Sequence, residues 1–270
     1  MVETPRAKTS SADPAAANPT FSERVRACFS GAANHYEDGA RIQRAIAWRL
    51  GHLCRPLAIG PGPRADLGAG TGLLARAIAL HRPDLNLLRL DNCPALLESE
   101  PPGAEPRDRL LWDLNLGLPT QLAGASLLAS SFALQWLQQP QLQLDEWASQ
   151  LARGGWLVLA VPCAASFQQW RQAAERAQVP FTGLALPAAS GLVEAAERQL
   201  QLVRCQRLRF SRRRPQALAF LRELKAIGAQ ASPTGQLSRA ELRRLQAHWA
   251  PNGSKCPLEG EVLLLLARKP

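Results

Sequence analysis

The chain of 270 residues has one tyrosine, one methionine and no apolar run longer than the six residues Val262–Ala267. A membrane-crossing helix needs about 20 such residues in a row, so no spanning helix and no membrane partner are expected. Residues 1–20 have no apolar core of the kind a secretory signal carries; their Ala, Pro, Ser and Thr bias predicts a disordered lead-in. Cytoplasmic residence is the expectation from this reading. The six cysteines (Cys28, Cys54, Cys93, Cys163, Cys205 and Cys256) lie far apart, with no CxxC pair and no histidine at ligand spacing beside them. They read as reduced structural thiols, so neither a metal site nor a disulfide frame is expected. Aromatics make up only 6% of positions.

What remains is a globular composition, 46% hydrophobic and 20% charged. The length suits one large domain or a domain with an insertion. The formal charge of +10 is local. Up to residue 200 the 18 basic and 18 acidic groups cancel, whereas residues 201–250 set ten arginines and Lys225 against only Glu223 and Glu241. Two readings stay open for that segment: a solvated arginine-rich face, or a docking surface for an acidic partner.

Helical spacing of apolar residues runs from Phe21 to about His52. A Pro/Gly stretch follows, then a strand, a glycine turn, a helix and a second strand over Leu85–Leu90 closed by Asp91. Further strands are predicted at Arg109–Trp112, Ser126–Ser131, Trp156–Val161, Leu200–Phe210 and Glu261–Arg268. Helices are predicted between them at Pro140–Ala152, Ala165–Ala177, Pro215–Ile227 and Ser238–Trp249. The alternation predicts an α/β fold, a doubly wound, mostly parallel seven-stranded sheet with a helical N-terminal segment. Between strands five and six, Pro180, Gly183, Pro187 and Gly191 break the pattern. An insertion or lid over about 164–199 is expected there, above the carboxyl ends of the strands where such sheets bind ligands.

The chemistry concentrates in Asp66-Leu67-Gly68-Ala69-Gly70-Thr71-Gly72. Glycines at alternate positions after a strand let backbone approach a ligand, and the next helix presents N–H groups. Leu73 stands where a dinucleotide turn would need its third glycine, which weakens a phosphate-binding reading. Asp91, at the end of the second strand, is placed to accept from both hydroxyls of a ribose, and Asp113, after the third, to meet an adenine edge; either is alternatively a helix cap. Strand, glycine turn, helix, strand and terminal Asp together resemble the cofactor site of class I S-adenosylmethionine-dependent methyltransferases.

Three further segments narrow the resemblance. Phe29-Ser30-Gly31-Ala32-Ala33-Asn34-His35-Tyr36-Glu37, with Ala40 and Gln43, is similar to the N-terminal motif of the malonyl-[acyl-carrier protein] O-methyltransferases of biotin synthesis. Ser131-Phe132-Ala133-Leu134-Gln135-Trp136 and Leu224-Lys225-Ala226-Ile227-Gly228-Ala229 resemble two more of that family's segments. The resemblance implies a methyltransferase domain over residues 21–270 that binds S-adenosylmethionine through Asp66, Gly68, Gly70, Gly72, Asp91, Asp113 and Ser131. Tyr36, Gln135 and Trp136 are the implied catalytic residues; simple packing is the alternative for Tyr36 and Trp136, and His35 reads as a surface residue. The implied acceptor is the free carboxylate of a malonyl thioester on acyl carrier protein, whose methyl ester would mask the charge during chain elongation toward pimelate. A carboxylate with a reference pKa of about 4 needs no general base at pH 7, which accords with the lack of any His/Asp or Ser/His constellation.

The acidic carrier is expected on the basic segment 201–250, and the protein is expected to be a monomer that binds no nucleic acid. That segment offers only Phe210, Phe220 and Trp249 for base stacking, which argues against RNA. Other readings are a methyltransferase for another small carboxylic acid or a quinone-type ring, and a non-catalytic binding protein of this fold. Two departures from the family stand out: strand one is short and preceded by Pro61, Gly62, Pro63 and Arg64, and Cys256-Pro257-Leu258-Glu259-Gly260 replaces a Tyr-Pro-Leu-Thr-Tyr-like stretch.

Overall fold

A computed structural model describes residues 19–99, 108–214, 217–249 and 256–270. Most of the expected lead-in and the side chains of Arg214 and Cys256 lie outside the described residues. In chain order the elements are α1 (Phe21–Ala32), α2 (Tyr36–Gly39), α3 (Arg41–Leu53), β1 (Arg64–Leu67), α4 (Leu73–His81), β2 (Leu88–Asp91), α5 (Pro94–Glu98) and β3 (Arg109–Leu111). Then come β4 (Ala125–Ser131), α6 (Pro140–Ser149), β5 (Leu151–Pro162), α7 (Gln168–Arg176), α8 (Ala189–Glu197), β6 (Gln201–Arg214), α9 (Ala217–Ala226), α10 (Arg239–Trp249) and β7 (Cys256–Arg268). The seven strands form one sheet in the order β3-β2-β1-β4-β5-β7-β6. The first five are parallel; β7 runs antiparallel to both neighbours.

The apolar run Val262–Ala267 is the inner part of β7, and it has no polar alternation because both of its faces are covered. Leu263, Leu265 and Ala267 join the core under α6 and α8, while Val262, Leu264 and Leu266 join the core under α3 and α4. Gly51 lets α3 and α4 meet at backbone distance, since a Cβ there would lie 2.4 Å from the Ala77 carbonyl oxygen. At the N-terminus, Thr20 and Glu23 close a capping box on α1.

Several boundaries differ from the pattern-based expectation. The second strand starts at Leu88, not Leu85; its first pair with β1 is Leu88–Ala65. Short β1 is nevertheless a regular strand, and the proline before it costs no ladder bond: the Pro63 carbonyl accepts from Ser126 N at 2.8 Å. Strands six and seven run further than expected, to Arg214 and back to Cys256. Beyond the last β5 pair, Pro162–Val262, they continue as a two-stranded ribbon past the carboxyl edge of the sheet.

Residues 164–199, expected as an insertion, divide into two parts. Leu192, Ala195 and Ala196 of α8 sit fully buried in the main core beside α6, so α8 is an ordinary covering helix of the sheet. Helix α7 belongs instead to a separate aromatic cluster with α9 and α10, in which Trp170 stacks on Trp249 at 5.8 Å and meets Phe220 edge-on. The motif segments at the two ends of the chain also meet each other. Gly228, at φ +71°, packs so closely on Phe29 that a Cβ would lie 2.7 Å from the Phe29 Cα, and Gly39 packs on Ile227.

Candidate active site

The sheet reverses its strand order between β1 and β4, and the glycine turn lies at that switch point. Gly68, Gly70 and Gly72 take φ of +69°, +53° and +86°, the left-handed region that other residues enter at a cost. Ala69 N donates to the Leu90 carbonyl at 2.8 Å, and Gly70 N donates to Asp91 Oδ2 at 2.8 Å, so the turn is tied down to β2. A cavity opens above it.

Of the expected cofactor residues, Asp66, Gly68, Gly70, Asp91, Asp113 and Ser131 line this cavity. They arrive from the ends of four neighbouring strands. Asp91 also accepts from Cys93 N through Oδ1 at 2.9 Å, and burial raises its carboxyl above the usual range. Asp113 caps the turn at Leu114–Leu116 through Oδ1, which accepts from Asn115 N and Asn115 Nδ2. Asp66 lies deeper: its Oδ2 accepts from Ala75 N at 3.0 Å in the first turn of α4, and burial pushes its carboxyl up to about 7. Gly72 is outside the cavity wall. A Cβ there would meet the buried Arg89 side chain at 2.8 Å, and the residue serves as the N-cap of α4.

A second, larger cavity adjoins the first. Phe29, Tyr36, Gln43, Phe132 and Trp136 belong to both. Gln135 lines only the second; its Nε2 donates to the Phe132 carbonyl at 2.7 Å, and its buried Oε1 has no partner. Trp136 sets its edge against Phe29 at 5.4 Å, and Tyr36 lies 6.4 Å from the same ring. Burial, and after it the charges of Asp91 and Glu37, raise the Tyr36 phenol above its ordinary value, so it stays a hydroxyl at neutral pH. An Arg76–Glu37 ion pair fastens the Tyr36 segment to α4. His35 is exposed, beside Asp38.

No protein-family model matches this chain. It is 30% identical over 230 residues to the malonyl-[acyl-carrier protein] O-methyltransferase of Methylococcus capsulatus, covering 82% of this chain and 83% of that one. The chain belongs to the malonyl-[acyl-carrier protein] O-methyltransferase family.

The like-named protein of Dechloromonas aromatica is 29% identical over 268 residues, covering 97% of this chain and all of the relative. The biotin biosynthesis bifunctional protein BioCD of Bordetella avium is 31% identical over 84% of this chain, which spans about half of that longer protein. A putative methyltransferase from Bacillus halodurans shares the fold, with a TM-score of 0.60 over 82% of this chain at 16% identity. This family member is therefore an enzyme, an O-methyltransferase dependent on S-adenosylmethionine.

The first cavity fits that cofactor. The buried Ser131 Oγ on its wall has no protein partner. A Cβ at Gly70 would meet only a Leu96 methyl, at 3.8 Å, so the missing side chain leaves the wall open to a ligand and is not demanded by protein packing.

Phe29, Gln43 and Phe132 were not singled out by sequence reasoning, although each lies within or beside a quoted motif. Phe132 has the one backbone signal, a left-handed φ of +57° directly after β4, which turns its ring into the shared wall. At Gly260, where the family resemblance expects an aromatic, the ring of Phe210 fills the space: a Cβ on Gly260 would lie 2.1 Å from it. On the β6–β7 ribbon, the aromatic that lines the second cavity thus comes from β6 instead of β7.

Proposed function

We propose that this methyltransferase esterifies the free carboxylate of a malonyl thioester on acyl carrier protein, a step of biotin synthesis. One observation carries the reading: the donor cavity shares the wall of Phe29, Tyr36, Gln43, Phe132 and Trp136 with a larger, mostly apolar one. The acceptor named for the relatives, a short acid at the end of a long arm, suits a second chamber of that size.

S-adenosylmethionine, when bound, supplies an electrophilic methyl group on a sulfonium. Its transfer to a carboxylate oxygen of the acceptor would leave a neutral ester and S-adenosylhomocysteine without any proton to be moved, so this chain need supply no base. Asp91 is assigned to the ribose hydroxyls, Asp113 to the adenine edge and the Ser131 hydroxyl to a polar group of the same ligand. The protonated Tyr36 offers a donor where both cavities meet, and the rings of Phe29, Phe132 and Trp136 keep water from the reacting pair. Removing that water strips solvation from the carboxylate, so positioning and desolvation do the work that a base would do elsewhere. The buried Gln135 amide, held by Phe132, braces this wall.

The acidic carrier is assigned to the arginine-rich β6, an edge strand on which Arg204, Arg207 and Arg209 are exposed. Opposite charge speeds such encounters and orients them. The test offers malonyl-carrier protein, malonyl-coenzyme A and succinyl-carrier protein in parallel and measures S-adenosylhomocysteine released. Malonyl-carrier protein is expected to be the best acceptor; release above background from none of the three would overturn the reading.

A further inference from the structure

Past the end of β5, the β6–β7 ribbon rises as one wall of the second cavity. Alternate residues of a strand share a face, so Leu208, Phe210 and Arg212 point the same way, opposite Val262, Gly260 and Leu258 of β7. Along this face the chemistry changes from apolar to cationic. Phe210 and Arg212 both line the cavity. Across from them α9 adds Arg222 and Lys225 to the same lining, and among the described lining residues Glu223 is the sole acid. The Arg212 side chain is 33% exposed and reaches to 3.9 Å from Glu223, so it sits at the solvent end of the cavity, held by a carboxylate and not buried by one.

We propose that Arg212 takes the phosphate of the acceptor's pantetheine arm, making a phosphate-binding subsite at the outer end of the second cavity. The inference rests on the thioester acceptor proposed above and adds where its arm is gripped. Geometry supports it. Phe132, at the donor end, is level with Val161 of β5, since its N–H bonds the Ala160 carbonyl. Three strand spacings across the sheet and five residues along β6 separate that level from Arg212, a span on the order of 20 Å. A malonyl group with its phosphopantetheine arm is about as long as six extended residues, roughly 20 Å as well. With the carboxylate at Tyr36, the phosphate therefore arrives at the ribbon tip.

The chemistry also matches. A phosphate oxygen pair suits the planar fork of a guanidinium, and the walls between the two ends, Phe210, Leu218 and Leu221, are apolar, as the arm's methyl and methylene groups require. Carrier protein presents a phosphodiester at this point and coenzyme A a pyrophosphate, so both sources share the recognised group.

The experiment uses two acceptors that differ only in that group, malonyl-pantetheine and malonyl-4′-phosphopantetheine. The readout is the ratio of their kcat/KM values. Wild-type protein is expected to favour the phosphorylated arm by about tenfold, the size of one charge-assisted hydrogen bond. Arg212→Ala is expected to bring the ratio near one, and Arg212→Lys, which keeps the charge without the fork, to an intermediate value. Arg212→Gln serves in place of the alanine variant should that one fail to fold. A ratio that stays at the wild-type value in the alanine or glutamine variant overturns the subsite while leaving the acceptor assignment intact. Wild-type protein that esterifies neither compound overturns both.

Discussion

Gly68 and Gly70 stand two residues apart in one turn, yet their replacement is expected to fail for different reasons. A Cβ at Gly68 would lie 2.2 Å from the Ala133 Cβ, far inside the usual carbon–carbon separation of about 3.5–4.0 Å. Relief requires β1 to move away from the segment that carries the buried Leu134. Left-handed backbone at φ +69° adds about 1–2 kcal/mol, and overpacking of this kind adds about 1–3 kcal/mol, so Gly68→Ala is expected to lower stability by about 2–5 kcal/mol. Gly70→Ala carries only the backbone cost of about 1–2 kcal/mol, because its Cβ position has nothing nearer than Leu96 at 3.8 Å. Its methyl instead occupies the donor cavity, and affinity for S-adenosylmethionine is expected to fall at least tenfold. Urea unfolding measures the first effect and titration calorimetry the second. Gly68→Ala unfolding at the wild-type urea midpoint, or Gly70→Ala binding the cofactor at wild-type affinity, would refute the reasoning.

Asp66 gives a pH dependence. Its carboxyl rises from 3.8 to about 7 on folding, so the folded state holds the proton more tightly. The associated stability is present in full below about pH 4 and is lost as pH rises through about 7. Asp66→Asn is expected to flatten that part of the curve and to gain on the wild type above pH 7; parallel curves for the two proteins would contradict this. Asp91→Ala removes the acceptor of both Gly70 N and Cys93 N and is expected to weaken cofactor binding at least tenfold by calorimetry, with unchanged affinity counting against the assigned ribose contact. Reversing Arg204 and Arg207 to Glu is expected to raise KM severalfold for malonyl-carrier protein and much less for malonyl-coenzyme A, with the gap closing at high salt. Equal changes for both acceptors would remove the carrier from β6.

The lining of the first cavity was legible because its parts are local. In a parallel sheet, a residue just past a strand end stands at the carboxyl edge wherever the chain goes next, so Gly68, Asp91, Asp113 and Ser131 could be placed from their positions alone. The second cavity was not legible in the same way. Its wall gathers Tyr36, Trp136, Phe210, Phe220 and Leu258 from segments that only the tertiary fold brings together. The ribbon was missed for a different reason: Arg212 and Arg213 break the apolar alternation, while the strand persists because β7 satisfies its backbone. Pro187 and Gly191 read as breakers in the sequence, yet burial of Leu192, Ala195 and Ala196 holds helix α8 against the sheet. Gly72 illustrates the limit of motif reasoning, since it shares a pattern with Gly68 and Gly70 but faces Arg89.

The central claim is methyl transfer to the malonyl carboxylate, and the mass of the acceptor tests it most directly. Malonyl-carrier protein incubated with the enzyme and S-adenosylmethionine is expected to gain the mass of one methylene, with fragmentation placing it on the malonyl group and alkaline hydrolysis removing it. A malonyl group of unchanged mass, under conditions where calorimetry shows the cofactor bound, would contradict the account.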